Sequence, residues 1–157
     1  MRFLGTARAA TRMVIDTSAM LAMLFEEGMA PGLRRAMSSD PVRLMSTMSV
    51  LEATCVISAR LGPTAVSELT LFLREFRVEQ VPFDAPQLEV AQSAWLRFGR
   101  GFHAARLNFG DCASYALARF SGEPLLFVGH DFRHNIVLPP LTLMTCPVTN
   151  DASFDAR

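Results

Sequence analysis

The chain has 157 residues, half of them hydrophobic, with a mean hydropathy of +0.25; this is one domain's length with enough apolar material for a core, which excludes a disordered chain. All 15 basic residues are arginine, so lysine-dependent chemistries fall away: P-loop nucleotide hydrolysis, Schiff-base and pyridoxal catalysis, and receiver domains. The 15 acids cancel the 15 arginines, which argues against a basic, non-specific nucleic-acid binder while leaving room for a local arginine patch.

The first twelve residues carry arginines but no apolar segment, so they read as an extension and a poor signal peptide. Met13-Val14-Ile15 is a short apolar run ending at Asp16, the pattern of a buried strand. Thr17 or Ser18 is placed to cap a helix with the body AMLAMLFEE. Gly28 to Ser38 predicts a second short helix, and Val42 to Met45 a weaker strand. Ser46 or Thr47 opens a helix through Arg60, stopped by Gly62-Pro63. Val66, Leu69, Leu73 and Phe76 give one face of the next helix. Val78 to Pro82 reads as a strand, and Leu88, Ala91, Trp95 and Phe98 as a helix face. Gly99 to Phe109 is a loop with Arg97, Arg100, His103 and Arg106 in or beside it. Asp111 to Phe120 predicts a helix, broken by Gly122-Glu123-Pro124. Leu125 to Val128 and Leu141 to Thr145 read as the last strands, and the tail from Cys146 carries no core pattern. Short apolar strands alternating with amphipathic helices imply an α/β fold with a mostly parallel sheet.

The three cysteines, Cys55, Cys112 and Cys146, are odd in number and have no zinc-ligand spacing. They read as buried, reduced thiols of a cytoplasmic protein. No apolar run reaches transmembrane length.

Four acids stand at telling places. Ligands of open α/β sheets collect at the carboxyl ends of strands. Asp16 ends the first strand, and Asp131 follows LLFV and the turn Gly129-His130, so both belong at one sheet edge. Asp111 opens a helix just after Gly110, which leaves room for close approach. Glu52 lies within a helix, its same-face neighbours Met48, Ser49, Cys55, Val56 and Ala59, with no arginine three or four residues away. Simpler roles compete for three of them: Asp16 as an N-cap, Asp111 in a capping pair with Asn108, and Asp131 as a turn residue. Together the four make a set of hard oxygen ligands without histidine or thiolate, which suits Mg²⁺ or Mn²⁺ rather than zinc.

The segments MVIDTSAM, SVLEA, LNFGDCASYALA and GEPLLFVGHDF resemble the PIN-domain ribonucleases, and more narrowly the VapC toxins of bacterial toxin–antitoxin pairs. The resemblance runs from about Met13 to Ile136 and implies a three-layer fold, a central mostly parallel sheet flanked by helices. It sets a domain at residues 13–145, between an extension (1–12) and a tail (146–157). It implies a Mg²⁺-dependent endoribonuclease in which Asp16, Asp111 and Asp131 hold the ion or ions. Glu52 completes the pocket and orients the attacking water, and Ser18 supports the site. His130 departs from the Asp or Asn that often precedes the final Asp-Phe. Arg97, Arg100, His103 and Arg106 are candidates for contact with the RNA backbone, against the alternative of a solvated loop.

The resemblance also implies a cognate, VapB-like antitoxin as partner, a homodimer, and an arginine or lysine of the antitoxin entering the acidic pocket. The segment AMLAMLF, Ala19 to Phe25, lacks a broad polar face, so it is either buried by this chain's own core or covered by another chain. A non-catalytic PIN-like interaction module is the alternative, and the four acids favour the enzyme. Aspartate-nucleophile phosphatases are excluded, since they need a second Asp where Ser18 stands.

Overall fold

Across the residues that the computed structural model describes, 12–38 and 42–129, four short strands align in parallel into one sheet. In chain order the elements are β1 (Arg12–Ile15), α1 (Thr17–Leu24), α2 (Ala30–Ser38), β2 (Val42–Ser46), α3 (Thr47–Leu61), α4 (Val66–Glu75), β3 (Val78–Val81), α5 (Ala85–Phe98), α6 (Phe109–Ser121) and β4 (Leu125–Leu126). A 3-10 turn, Pro63–Ala65, joins α3 to α4. The strand order is β3-β2-β1-β4, with Val14 facing Leu44 on one side and Leu125 on the other. From β1 the chain winds outward through β2 to β3, then returns to lay β4 on the opposite flank of β1. The order therefore reverses between β1 and β4, where a crevice opens at the strands' carboxyl ends.

Side-chain alternation along the strands builds two cores, one per face. Met13, Ile15, Met45 and Leu126 join Met20, Met23, Leu33, Ile57 and Phe72 on the face covered by α1 to α4. Val14, Leu44, Leu125 and Phe127 join Ala94, Phe98, Leu107, Tyr115 and Leu117 beneath α5 and α6. This is the three-layer arrangement. The apolar β1 and β4 are buried on both faces, as parallel strands require. Arg43 interrupts that pattern in β2, and its guanidinium donates to the carbonyls of Met37 and Phe76 near the ends of α2 and α4.

Several boundaries move for identifiable reasons. Asp16, not Thr17 or Ser18, caps α1, accepting from the Ser18 amide. Helix α6 starts two residues before Asp111 because Asn108 is its cap, and it ends at Gly122 in the left-handed conformation (φ 72°). On α5 the buried face is Gln87, Ala91, Ala94 and Phe98, which leaves Leu88 44% and Trp95 36% exposed. Cys55 is exposed, contrary to the expectation of buried thiols, while Cys112 is buried. No helix among the described residues is long and apolar enough to cross a membrane. Asp131, His130, the expected strand 141–145, Cys146 and most of both terminal extensions lie outside the described residues.

Candidate active site

Asp16 stands directly beyond β1 in extended conformation, so its carboxyl reaches the crevice from the centre of the sheet. It is 2% exposed. One oxygen, Oδ2, accepts from the amide and the hydroxyl of Ser18. The Ser18 hydroxyl in turn accepts from the Val128 amide at 3.0 Å, just past β4. Ser18 thus ties the carboxyl ends of β1 and β4 together through Asp16. The other oxygen, Oδ1, is buried and has no hydrogen-bond partner among the described residues. A buried carboxylate oxygen without a partner is costly, and a bound cation is one group that would relieve it.

Glu52 enters from α3. It is not on the helix's buried stripe, which is Ser49, Ala53 and Ile57; Cys55 and Ala59, two of its same-face neighbours in sequence, are exposed. Glu52 itself is half-buried and its carboxylate rests against Gly110 of α6. Burial pushes its pKa up from the usual 4.5, a hydrogen bond from Thr17 opposes the rise, and the Asp16 charge adds to it. Asp16 and Glu52 are therefore close enough to feel each other.

Asp111 comes from the first turn of α6 and is nearly buried. Its Oδ2 accepts from the Asn108 amide at 2.7 Å, and the Asn108 side chain accepts from the Asp111 amide at 2.9 Å, a complete capping box. The capping roles weighed for Asp16 and Asp111 are thus real. They are compatible with ligation, because a carboxylate offers about four lone-pair sites across two oxygens. One turn further in, the hydroxyls of Ser49 and Ser114 meet at 3.1 Å and lock α3 to α6 beneath the acids. Thr17 donates to the Ser49 carbonyl at 3.2 Å, joining α1 to the same seam.

The four basic-loop candidates divide. Arg97 lies over the Phe98 ring and lines a hollow with Glu89, Tyr115 and Arg119. Arg100, His103 and Arg106 line a separate hollow on the 99–107 loop, which is closed by Leu107 bonding Phe98 and Arg100. His103 accepts from the Ala105 amide through Nδ1 and packs edge-on against Phe98, so it organises the loop. A larger hollow of about 660 Å³ runs between α5 and α6, walled by Met48, Phe83, Leu88, Trp95, Phe109 and Cys112. Within segment Ala19 to Phe25, Ala19, Met20, Ala22 and Met23 are buried by the chain's own core, while Leu21, Leu24 and Phe25 are half-buried. Exposed large apolar side chains lie on α3 and α4, at Leu51, Leu61 and Leu71, at Phe120 near the end of α6, and at Leu88, Trp95, Leu96, Phe102 and Phe109 on α5 and its neighbours.

A model of the PIN domain matches residues 13–136, from β1 past the last described strand. The chain belongs to the PIN-domain family. Among PIN domains it is similar to Ribonuclease VapC30 of Mycobacterium tuberculosis, 49% identical over 122 residues, or 78% of this chain and 93% of that protein. It is 51% identical over 121 residues to Ribonuclease VapC of Mycolicibacterium smegmatis, covering 77% and 94% of the two chains. This places it in the VapC branch of the family. The same PIN fold is found in the crystal structure of VapC20 from Mycobacterium tuberculosis, a sarcin-ricin-loop-cleaving toxin, with TM-score 0.64 and 22% identity over 77% of this chain and 92% of that one. It recurs in a VapBC2 complex from Rickettsia felis bound to promoter DNA, with TM-score 0.59 and 14% identity over 76% and 89%. Among the described residues no three acid, histidine or cysteine side chains form a metal-holding group by themselves. Asp131, the fourth acid expected from the sequence, lies outside them.

Proposed function

We propose that this chain is the toxin of a type II toxin–antitoxin pair, a Mg²⁺- or Mn²⁺-dependent endoribonuclease acting in the cytoplasm. The observation that carries the reading is the buried Oδ1 of Asp16, without a partner among the described residues and within reach of the Glu52 charge, with Asp111 next to the Gly110 against which Glu52 rests. A donor set made only of carboxylates fits a hard divalent cation. Asp16, Asp111 and Asp131 would hold it. When bound, the cation would make a coordinated water more acidic and neutralise charge on the phosphate. The Glu52 carboxylate accepts a hydrogen bond from the attacking water and aims its oxygen at phosphorus, in line with the leaving oxygen. Ser18 keeps the Asp16 oxygen Oδ2 occupied, so that Oδ1 would be the oxygen left to hold the ion. The alternative of a non-catalytic module gains from the capping roles of Asp16 and Asp111, but capping leaves Oδ1 unexplained.

The partner is a VapB-like antitoxin, a reading supported by VapBC complexes of the same fold. The apolar hollow of α5 and α6 supports a homodimer, since exposed Leu88, Trp95, Leu96 and Phe109 form a patch that water covers poorly. Arg100 and Arg106 remain candidates for the RNA backbone. The test is cleavage of RNA by the purified chain, switched on by Mg²⁺ and off by a chelator. Cleavage that ignores the chelator, or none with any divalent ion, refutes the reading.

A further inference from the structure

Gly110 occupies the second position of α6, where the helix interior disfavours glycine and nothing in the backbone requires it. Its φ is not positive, unlike those of Gly62, Gly101, Gly122 and Gly129. What distinguishes it is what a side chain would strike. A Cβ at Gly110 would overlap Oε2, Cδ and Oε1 of Glu52. All three carboxylate atoms thus lie in the volume that any other residue would fill with its first carbon. At Gly28, Gly62, Gly101 and Gly122, by contrast, a Cβ would meet nothing within 4 Å. From the start of α1, Thr17 and Asp16 stand within reach of the same carboxylate. Glu52 is carried on α3, on a side chain with three rotatable bonds, so its own helix does not fix where the carboxylate points.

We propose that Gly110 is a positioning residue for RNA cleavage, its missing side chain forming the seat that holds the Glu52 carboxylate in the acidic crevice. The proposal rests on the ribonuclease reading given above. A methyl group at Gly110 would not break the fold, because what it displaces is the far end of a flexible side chain and alanine is the better helix former. It would push the carboxylate out of the crevice, so Gly110→Ala should leave folding intact and damage the site. Glu52→Asp alone should also damage it, because the shortened carboxylate falls short of the seat. Combined, the two changes should compensate, since the shorter side chain clears the new methyl.

The experiment compares wild type, Gly110→Ala, Glu52→Asp and the double variant. It measures circular dichroism, Mn²⁺ affinity by calorimetry, and Mg²⁺-dependent RNA cleavage. Gly110→Ala should keep the wild-type spectrum and lose about tenfold or more in both cleavage and Mn²⁺ affinity. The double variant should be about tenfold more active than the product of the single losses predicts, the mark of two groups competing for one volume. An active wild type with Gly110→Ala equal to it, or losses that simply multiply, overturns the seat alone. A wild type that neither cleaves RNA nor binds Mn²⁺ overturns the ribonuclease reading beneath it. A crystal structure of Gly110→Ala with Glu52 unmoved overturns the seat whatever the activity.

Discussion

Asp111 is asked to do two things, and one substitution separates them. It closes the capping box of α6, a helix whose residues 110–118 are all buried, and it is proposed to hold the ion. Asp111→Asn keeps a carbonyl oxygen to accept from the Asn108 amide, so the box survives. What is lost is the charge assistance of that hydrogen bond, about 1 kcal/mol, and the charge's interaction with the helix dipole, about 0.5 kcal/mol. Removing a carboxylate from an acidic crevice offsets part of this, for a net cost within about 1 kcal/mol, or about 3 °C of melting temperature at this size. Asp111→Ala loses the arm of the box as well and should cost about 1–2 kcal/mol more. Cleavage should collapse equally in both, by about 100-fold or more, because neither retains the charge. Thermal melts of the ion-free proteins and initial rates on a labelled RNA with Mg²⁺ decide it. An Asn variant that cuts RNA at the wild-type rate would falsify the assignment. An Asn variant as unstable as the Ala variant would refute the capping arithmetic.

Other outcomes follow from the same geometry. The raised pKa of Glu52 means that the folded, ion-free state binds this proton more tightly than the unfolded chain does. Its contribution to stability is full below about 4.5 and is lost as pH rises through the folded value; melts across pH 4 to 8 should show that decline, and Glu52→Gln should flatten it. Asp16→Asn keeps the cap of α1, since the two residues cap equally well, and removes the charge that repels Glu52. It should raise the ion-free melting temperature by a few degrees and abolish any Mg²⁺-induced rise; an undiminished rise places the ion elsewhere. Thiol labelling should modify exposed Cys55 quickly and leave Cys112 untouched until unfolding, because burial and the Asp111 charge push the latter's pKa up to about 12. Rapid modification of both in the native protein would contradict the packing of α6.

Much of this was legible in the sequence because strand and helix periods are local. Met13-Val14-Ile15 ending at Asp16 announced both the central strand and the acid at its tip, and both stand where expected. The capping pair of Asn108 and Asp111 was visible in a spacing of three. Less legible was whatever depends on which element lies opposite. The periodic face Leu88, Ala91, Trp95, Phe98 is half wrong, because α6 presents small residues that pack only one side of it and leave Trp95 outside. Glu52 was recognised as out of place, yet its surroundings come from α1 and α6, which no spacing within SVLEA reveals. Thr17, Ser49 and Ser114 were missed as parts of the site. Their signal was faint: small hydroxyl residues beside Asp16 and three positions from Glu52 and Asp111.

The single hydroxyl of Ser18 has a consequence in time as well as in space. It joins the first strand made to the last of the four described, across 110 residues of chain. Closing so long a loop is the entropically expensive event in folding, and it comes after the local helices and the neighbouring pairings of β1 with β2 and β2 with β3. A chain still on the ribosome, with β4 inside the exit tunnel, can assemble most of its sheet while the β1 edge that carries Asp16 still lacks its neighbour. The Asp16 edge is completed only when the Val128 amide reaches that hydroxyl, so the acid at the tip of the first strand is the last part of the sheet to find its setting.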